Sequence, residues 1–150
     1  MTVHPSSETS PNGGLTTGVV AWLRLARVFS KIERISSESL RDEHLSSAQF
    51  DVLAHVGATN GPSQQELADS LLVTKGNVCQ LLDRMEQAGL LERRQEGRTN
   101  RLFLTEKGRG LYDRVIPRHE GAIDALFNGL TDAEQGTLLC LLRKLDRSLE

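Results

Sequence analysis

The chain has 150 residues, of which 38% are apolar and 4% aromatic, and carries a formal net charge of −2. That length buries a core without disulfide staples, and the two cysteines, Cys79 and Cys140, are spaced as in a reducing cytosol rather than in a secreted framework. No apolar run nears the ~20 residues of a membrane span and the N-terminus lacks a signal-peptide core, so the expectation is a soluble, cytoplasmic protein with no membrane partner.

Residues 1–14, "MTVHPSSETSPNGG", offer almost nothing to bury and read as a disordered tail. From Leu15 to about Glu43, Val19, Leu23, Leu25, Val28, Phe29, Ile32 and Ile35 recur at helical spacing. This first helix carries an apolar stripe too long for one small domain to cover. Ser46 and Gln49 have capping-box spacing, with Leu45 and Phe50 placed as a hydrophobic staple, so "LSSAQFDVLAHV" opens a second helix that Gly57 and "NGP" close. Ser63 and Glu66 form a second capping box for the short helix "SQQELADSL". Thr74 is placed to cap "KGNVCQLLDRMEQAG", which Gly89 stops.

The period then changes. "LLERR" and "RLFLT" are short and β-prone, and the turn at Gly97 between them makes a hairpin. Thr105 caps a helix to about Phe127, which Pro117 should bend or deprive of one backbone bond. Thr131 and Glu134 open a last helix bearing Leu138, Leu139, Leu142 and Leu145. The fold class is mainly α with a small β-hairpin: a winged helix-turn-helix at 46–104 with a helical layer at 15–45 and 105–150.

Positive charge concentrates where such a fold meets DNA. From Thr74 to Arg101 there are six basic and four acidic residues, a local +2 that leaves −4 for the rest. On "TKGNVCQLLDRM", Val78, Leu81, Leu82 and Met85 would face a core while Asn77, Gln80 and Arg84 share the opposite face. Thr74, Lys75 and Gly76 stand at the exposed N-terminus, with Ser63 and Gln64 at the start of the shorter helix completing the candidate DNA-contacting set. Carboxamides pair bidentately with adenine and basic side chains with guanine or phosphate, which suits a major groove. Arg94 and Arg98 flank the Gly97 turn, where arginines fit a narrow minor groove. The plainer alternatives are a solvated amphipathic helix, a solvated charge cluster, or a winged helix used as a protein–protein adaptor.

Enzyme chemistry finds no support. His4, His44, His55 and His119 are scattered, without metal spacing to either cysteine, and there is no Gly-x-Ser-x-Gly elbow or phosphate-cradling glycine loop. No catalytic residue, metal or cofactor is expected.

"LSSAQFDVLAHV", "SQQELADSLLVTKGNVCQLLDRMEQAGLLERR" and "RLFLTEKG", in this order and spacing, resemble the MarR family of bacterial transcription regulators from about residue 15 to 150. The wing is shorter than is usual in that family. Arg98 takes the family's wing-arginine place and Glu96 that of the aspartate that steadies it. The resemblance implies a homodimer whose first and last two helices intertwine, reading a pseudo-palindromic operator; a dimer without an activation domain favours repression. It also implies release by an oxidant or by a small aromatic anion, a phenolic carboxylate or urate-like molecule, between the dimer helices and the winged lobe. Candidates for that pocket are Trp22, Arg27, His44 and Asp51. Cys79, inside the recognition helix, is the candidate redox residue, with Arg84 and Lys75 as activating neighbours, while Cys140 in "LLCLL" reads as buried filler.

Overall fold

A computed structural model describes residues 14–71 and 75–150, with Lys75 and Gly76 described in their backbone alone. The expected Thr74 cap lies outside the described residues. The order is α1 (Thr17–Leu40), a 3-10 turn (Arg41–Glu43), α2 (Ser47–Ala58), α3 (Gln64–Ser70), α4 (Lys75–Gln87), β1 (Leu91–Glu96), β2 (Thr99–Leu104), α5 (Glu106–Leu126) and α6 (Asp132–Ser148). This is the expected fold class, mainly helical with one antiparallel hairpin.

Local chemistry sets most boundaries. Ser46, Ser63 and Thr131 each cap a helix through a complete capping box, the N3 side chain bonding back to the cap's own backbone N–H. The N–H of Ser63 holds the Glu66 carboxyl below the usual carboxylate range, so this box is electrostatically reinforced. Gly89, at φ 74°, ends α4 as Leu90 N donates to Met85 O and Gly89 N to Glu86 O, the paired bonds of a Schellman stop. Pro117 is accommodated without ending α5, which runs through it from Glu106 to Leu126.

One core lies under the middle of the chain. Phe50, Val52, Leu53 and Val56 of α2 pack with Leu67, with Val78, Leu82 and Met85 of α4, with Leu91 and Leu102 of the hairpin, and with Leu111, Val115 and Ile116 of α5. Each of these side chains contributes roughly 1.5–3 kcal/mol on burial, so the lobe has a core of its own. Helices α1 and α6 contribute little to it. Leu40 is the buried residue of α1, and α6 has none. Trp22, Phe29, Leu139, Leu141 and Leu145 are exposed on the single chain. Cys140, expected to be buried, is exposed on the single chain for the same reason: α6 finds no cover among the described residues.

The hairpin is braced at its base. Its register runs from Leu91↔Leu104 to Glu96↔Thr99, which leaves Gly97 and Arg98 as a two-residue turn. Gly97 takes φ 61°, as the first position of a II′ turn requires. The α2–α3 loop adds a third edge, where Leu102 N donates to Pro62 O at 2.9 Å and Ser63 bridges Arg101.

Candidate nucleic-acid interface

Helix α4 presents three faces. Val78, Leu82 and Met85 are fully buried, and Leu81 is half-buried beside them. Asn77, Gln80 and Arg84 are exposed together on another side, as their spacing requires. The third face carries Cys79, Asp83 and Glu86 at i, i+4 and i+7, turned toward the hairpin through contacts with Arg93. Of the other expected DNA-contacting residues, Thr74 and the side chain of Lys75 lie outside the described residues, and Gly76 is placed in the first turn of α4.

The four arginines of the hairpin divide sharply. Arg93 pairs with Asp83 at 2.7 Å and Glu86 at 2.6 Å. Arg101 pairs with Glu96 at 3.0 Å and donates to Gly61 O at 3.0 Å, tying β2 to the α2–α3 loop. Arg94 pairs with Glu92, and its guanidinium lies 4.3 Å over the Phe103 ring, so it is drawn back along the strand rather than held out at the tip. Arg98, at the turn, has no carboxylate partner among the described residues. Glu96 steadies Arg101 and not, as expected, Arg98. Asp83, Glu86, Glu92 and Glu96 are thus all engaged by neighbouring arginines, and Arg84 and Arg98 stand unpaired among the described residues.

Between the wing and the two helices runs a cleft of about 410 Å³, whose walls include Ser63, Gln64, Cys79, Arg98, Thr99 and Asn100. Ser63 is almost fully buried, with its hydroxyl spent on the α3 cap. Gln64 donates its side-chain amide to the exposed Cys79 sulfur and so links α3 to α4. Thr99 and Asn100 were not singled out from the sequence. Their place in the cleft depends on the strand register, which carries no composition signal. Of the expected neighbours of Cys79, the Lys75 side chain lies outside the described residues; Arg93 donates to the Cys79 carbonyl at 3.3 Å, and Arg98 shares the cleft with it.

The four residues expected to line an effector pocket lie on α1 (Trp22 and Arg27), after the 3-10 turn (His44) and on α2 (Asp51). Trp22 is 64% exposed on α1. Arg27 lies in a shallow depression of the same helix with Ala26, Ser30, Lys31 and Arg34. His44 is exposed after the 3-10 turn in the left-handed region, at φ 55°. Asp51 borders a depression with His55, Ser70 and Leu71. Burial pushes its carboxyl above the ordinary range, Glu33 adding to this and His119 opposing it.

A residue that periodicity did not reveal sits where the lobe meets the long helices. The His119 ring of α5 packs at 4.1 Å on Phe50 of α2, and its Nε2 lies 3.3 Å from the Ser36 hydroxyl of α1. Its Nδ1 is buried without a partner among the described residues, and burial pulls its pKa below the usual histidine value despite Asp51 and Glu120. Beside it opens a cavity of about 430 Å³ walled by Phe50, Ile116, Ile123 and Phe127. Close by, a hydrogen bond from Arg114 holds the Glu43 carboxyl below the usual range, with Arg118 adding charge, which clips α5 to the end of α1. Among the described residues no group of His, Cys, Asp and Glu converges as metal ligands, and no helix is long and apolar enough to cross a membrane.

A helix with a polar outer face, set beside a hairpin tipped by an unpaired arginine, defines a winged helix-turn-helix protein of the DNA-binding class. Residues 45–101 match the model of the MarR family. An uncharacterised HTH-type transcriptional regulator of Bacillus cereus is 33% identical over 136 residues, covering 90% of this chain and 92% of its own. The chain belongs to the MarR family of transcriptional regulators. Among solved structures, the S. aureus MepR–DNA complex superimposes with a TM-score of 0.77 at 23% identity, covering 86% of this chain and 98% of that one. Bordetella bronchiseptica BpsR, whose DNA binding is regulated by 6-hydroxynicotinic acid, gives 0.77 at 25% identity, covering 89% and 99%.

Proposed function

We propose that this regulator is a cytoplasmic homodimeric repressor, with no catalytic role, that reads a pseudo-palindromic operator. Helix α4 enters the major groove, where Asn77, Gln80 and Arg84 meet base edges and phosphates while Thr74, Lys75 and Gly76 approach the backbone. Arg98 reaches the adjacent minor groove, Arg94 supports it from the strand, and Ser63 and Gln64 border the backbone that crosses the cleft. The observation that carries this reading is the exposure of Asn77, Gln80 and Arg84 on one side of α4, next to a wing whose tip arginine has no carboxylate partner among the described residues. The uncovered apolar stripes of α1 and α6 support residues 15–45 and 105–150 as the dimerisation region.

For the effector we propose a small aromatic anion, phenolic or urate-like, bound between lobe and dimer helices. Trp22, Arg27, His44 and Asp51 contribute to its pocket once a second copy brings α1 against the lobe. BpsR, which responds to a hydroxylated aromatic acid, supports this class of molecule. A ligand of this kind releases DNA only by binding the DNA-incompetent arrangement more tightly. The test is a mobility-shift titration on the DNA upstream of the protein's own gene, with phenolic acids added singly. Binding at low protein concentration, reversed by one compound, is expected. Asn77→Ala and Gln80→Ala should each relax preference at particular base pairs. Equal affinity of the wild type for operator and scrambled duplex would contradict operator reading.

A further inference from the structure

Arg93 lies in the hairpin, yet the polar partners of its side chain among the described residues are on the recognition helix. Its Nη2 is 2.7 Å from Asp83 and 3.3 Å from the Cys79 carbonyl, and its Nη1 is 2.6 Å from Glu86. The side chain is only 19% exposed, whereas Asp83 and Glu86 are 58% and 42% exposed. Residues 79, 83 and 86 line one face of α4 over two turns, and the planar guanidinium spans all three acceptors at once. A lysine ammonium is a point charge and cannot.

The register shows what this holds in place. Arg93 stands opposite Leu102, which is fully buried, and every residue from Arg94 to Asn100 is exposed. Arg93 is therefore the outermost inward-facing anchor of the wing. The last strand pair lies three residues beyond it, ~10 Å along the strand. A tilt of about 15° at that anchor moves the tip by roughly 2–3 Å, enough to take a side chain out of hydrogen-bond reach. Arg101 braces the opposite face against Gly61, so the tilt left to be fixed is the one toward α4.

We propose that Arg93 is a positioning residue for DNA reading: it sets the distance between recognition helix and wing, so that the Arg98 contribution depends on it. This rests on the reading of α4 and the wing as the DNA-binding face. A purely electrostatic role makes the opposite forecast. If Arg93 merely neutralised Asp83 and Glu86, then Asp83→Asn/Glu86→Gln would tighten DNA binding and leave the wing at work. If Arg93 positions the wing, the same pair of substitutions removes its hold, and the wing stops contributing.

The experiment measures the affinity of the full chain for duplex DNA from upstream of its own gene, at one low salt concentration. Wild type, Arg93→Gln and Asp83→Asn/Glu86→Gln are each compared with and without Arg98→Ala. Thermal melting followed by circular dichroism selects folded variants, and Arg93→Lys provides a milder change in the same contact. Arg98→Ala should weaken wild type about tenfold. In the other two backgrounds it should weaken binding less than twofold, with Arg93→Lys in between, the non-additivity of coupled sites. The same tenfold loss in every background would overturn the positioning role while leaving the wing in contact with DNA. No loss in wild type would overturn the wing reading and this inference with it.

Discussion

Gly108, in the first turn of α5, lies so close to Leu90 that a Cβ on it would stand 1.8 Å from the Leu90 carbonyl oxygen. That carbonyl also accepts from Thr105 N at 3.1 Å, and the Thr105 hydroxyl caps the helix at Gly108 N. The start of α5 is thereby seated on the segment joining α4 to β1. The contact thus joins the first turn of α5 to the end of α4 and the root of the wing.

Gly108→Ala should therefore be costly although alanine favours helix. The clash is with backbone, which cannot turn aside as a flexible side chain can. A loss of about 3 kcal/mol is expected, the upper part of the usual overpacking range. Urea unfolding of the two proteins checks it, and a change within about 0.5 kcal/mol would mean that the seat yields freely. Gly110, two residues on and with open space at its Cβ, is the control. Gly110→Ala should be neutral or slightly stabilising.

The His119 environment sets a pH dependence. Its pKa in the folded chain is held below the ordinary value near 6.5 by burial, so the unfolded chain binds the proton more readily. Stability is full while histidine is neutral in both states and falls as pH drops below about 6.5. Asp51 acts in the opposite sense, because its raised pKa makes its protonation stabilising, but in the carboxylate range at lower pH. Between pH 7 and 5.5 the melting temperature of wild type should fall, and that of His119→Gln should fall less. Parallel curves would remove His119 as the cause.

Oxidation gives a third test. Cys79 is exposed in the cleft beside Gln64 and Arg98, and Cys140 is exposed on α6, far along the chain from the reading face. Peroxide that converts the Cys79 thiol to a sulfenic acid adds a polar oxygen where the DNA backbone is proposed to pass. DNA binding by wild type and by Cys140→Ser should weaken and recover with dithiothreitol, whereas Cys79→Ser should be unaffected. Equal loss in Cys79→Ser would end the redox role of this residue.

What could be read from the sequence was what is decided within a few residues. The capping boxes at Ser46, Ser63 and Thr131, the Gly89 stop and the buried side of α4 depend on spacings of three or four, and each forms. The hairpin was legible as a turn between two β-prone runs. Pairing across elements was not. Four clustered arginines look alike in sequence, but Arg101 reaches Gly61 across 40 positions, and Arg93 finds its acids on another element. His119 shows no signal because its surroundings come from α1 and α2. Cys140 is exposed on the single chain because α6 has no buried residue among the described ones, and a leucine-rich run does not show whether its cover comes from its own chain.

The central claim is that α4 and the Arg98-tipped wing together form the DNA-binding face, and its most direct test is the salt dependence of binding. Affinity of wild type and Arg98→Ala for the upstream duplex is measured from low to high salt. Each cation that neutralises a phosphate contributes about 0.9 to the slope of log affinity against log salt. Wild type should lose affinity steeply, and Arg98→Ala should bind more weakly at low salt with a slope shallower by about one unit per lobe. Equal affinities and superimposable slopes for the two proteins would contradict the claim.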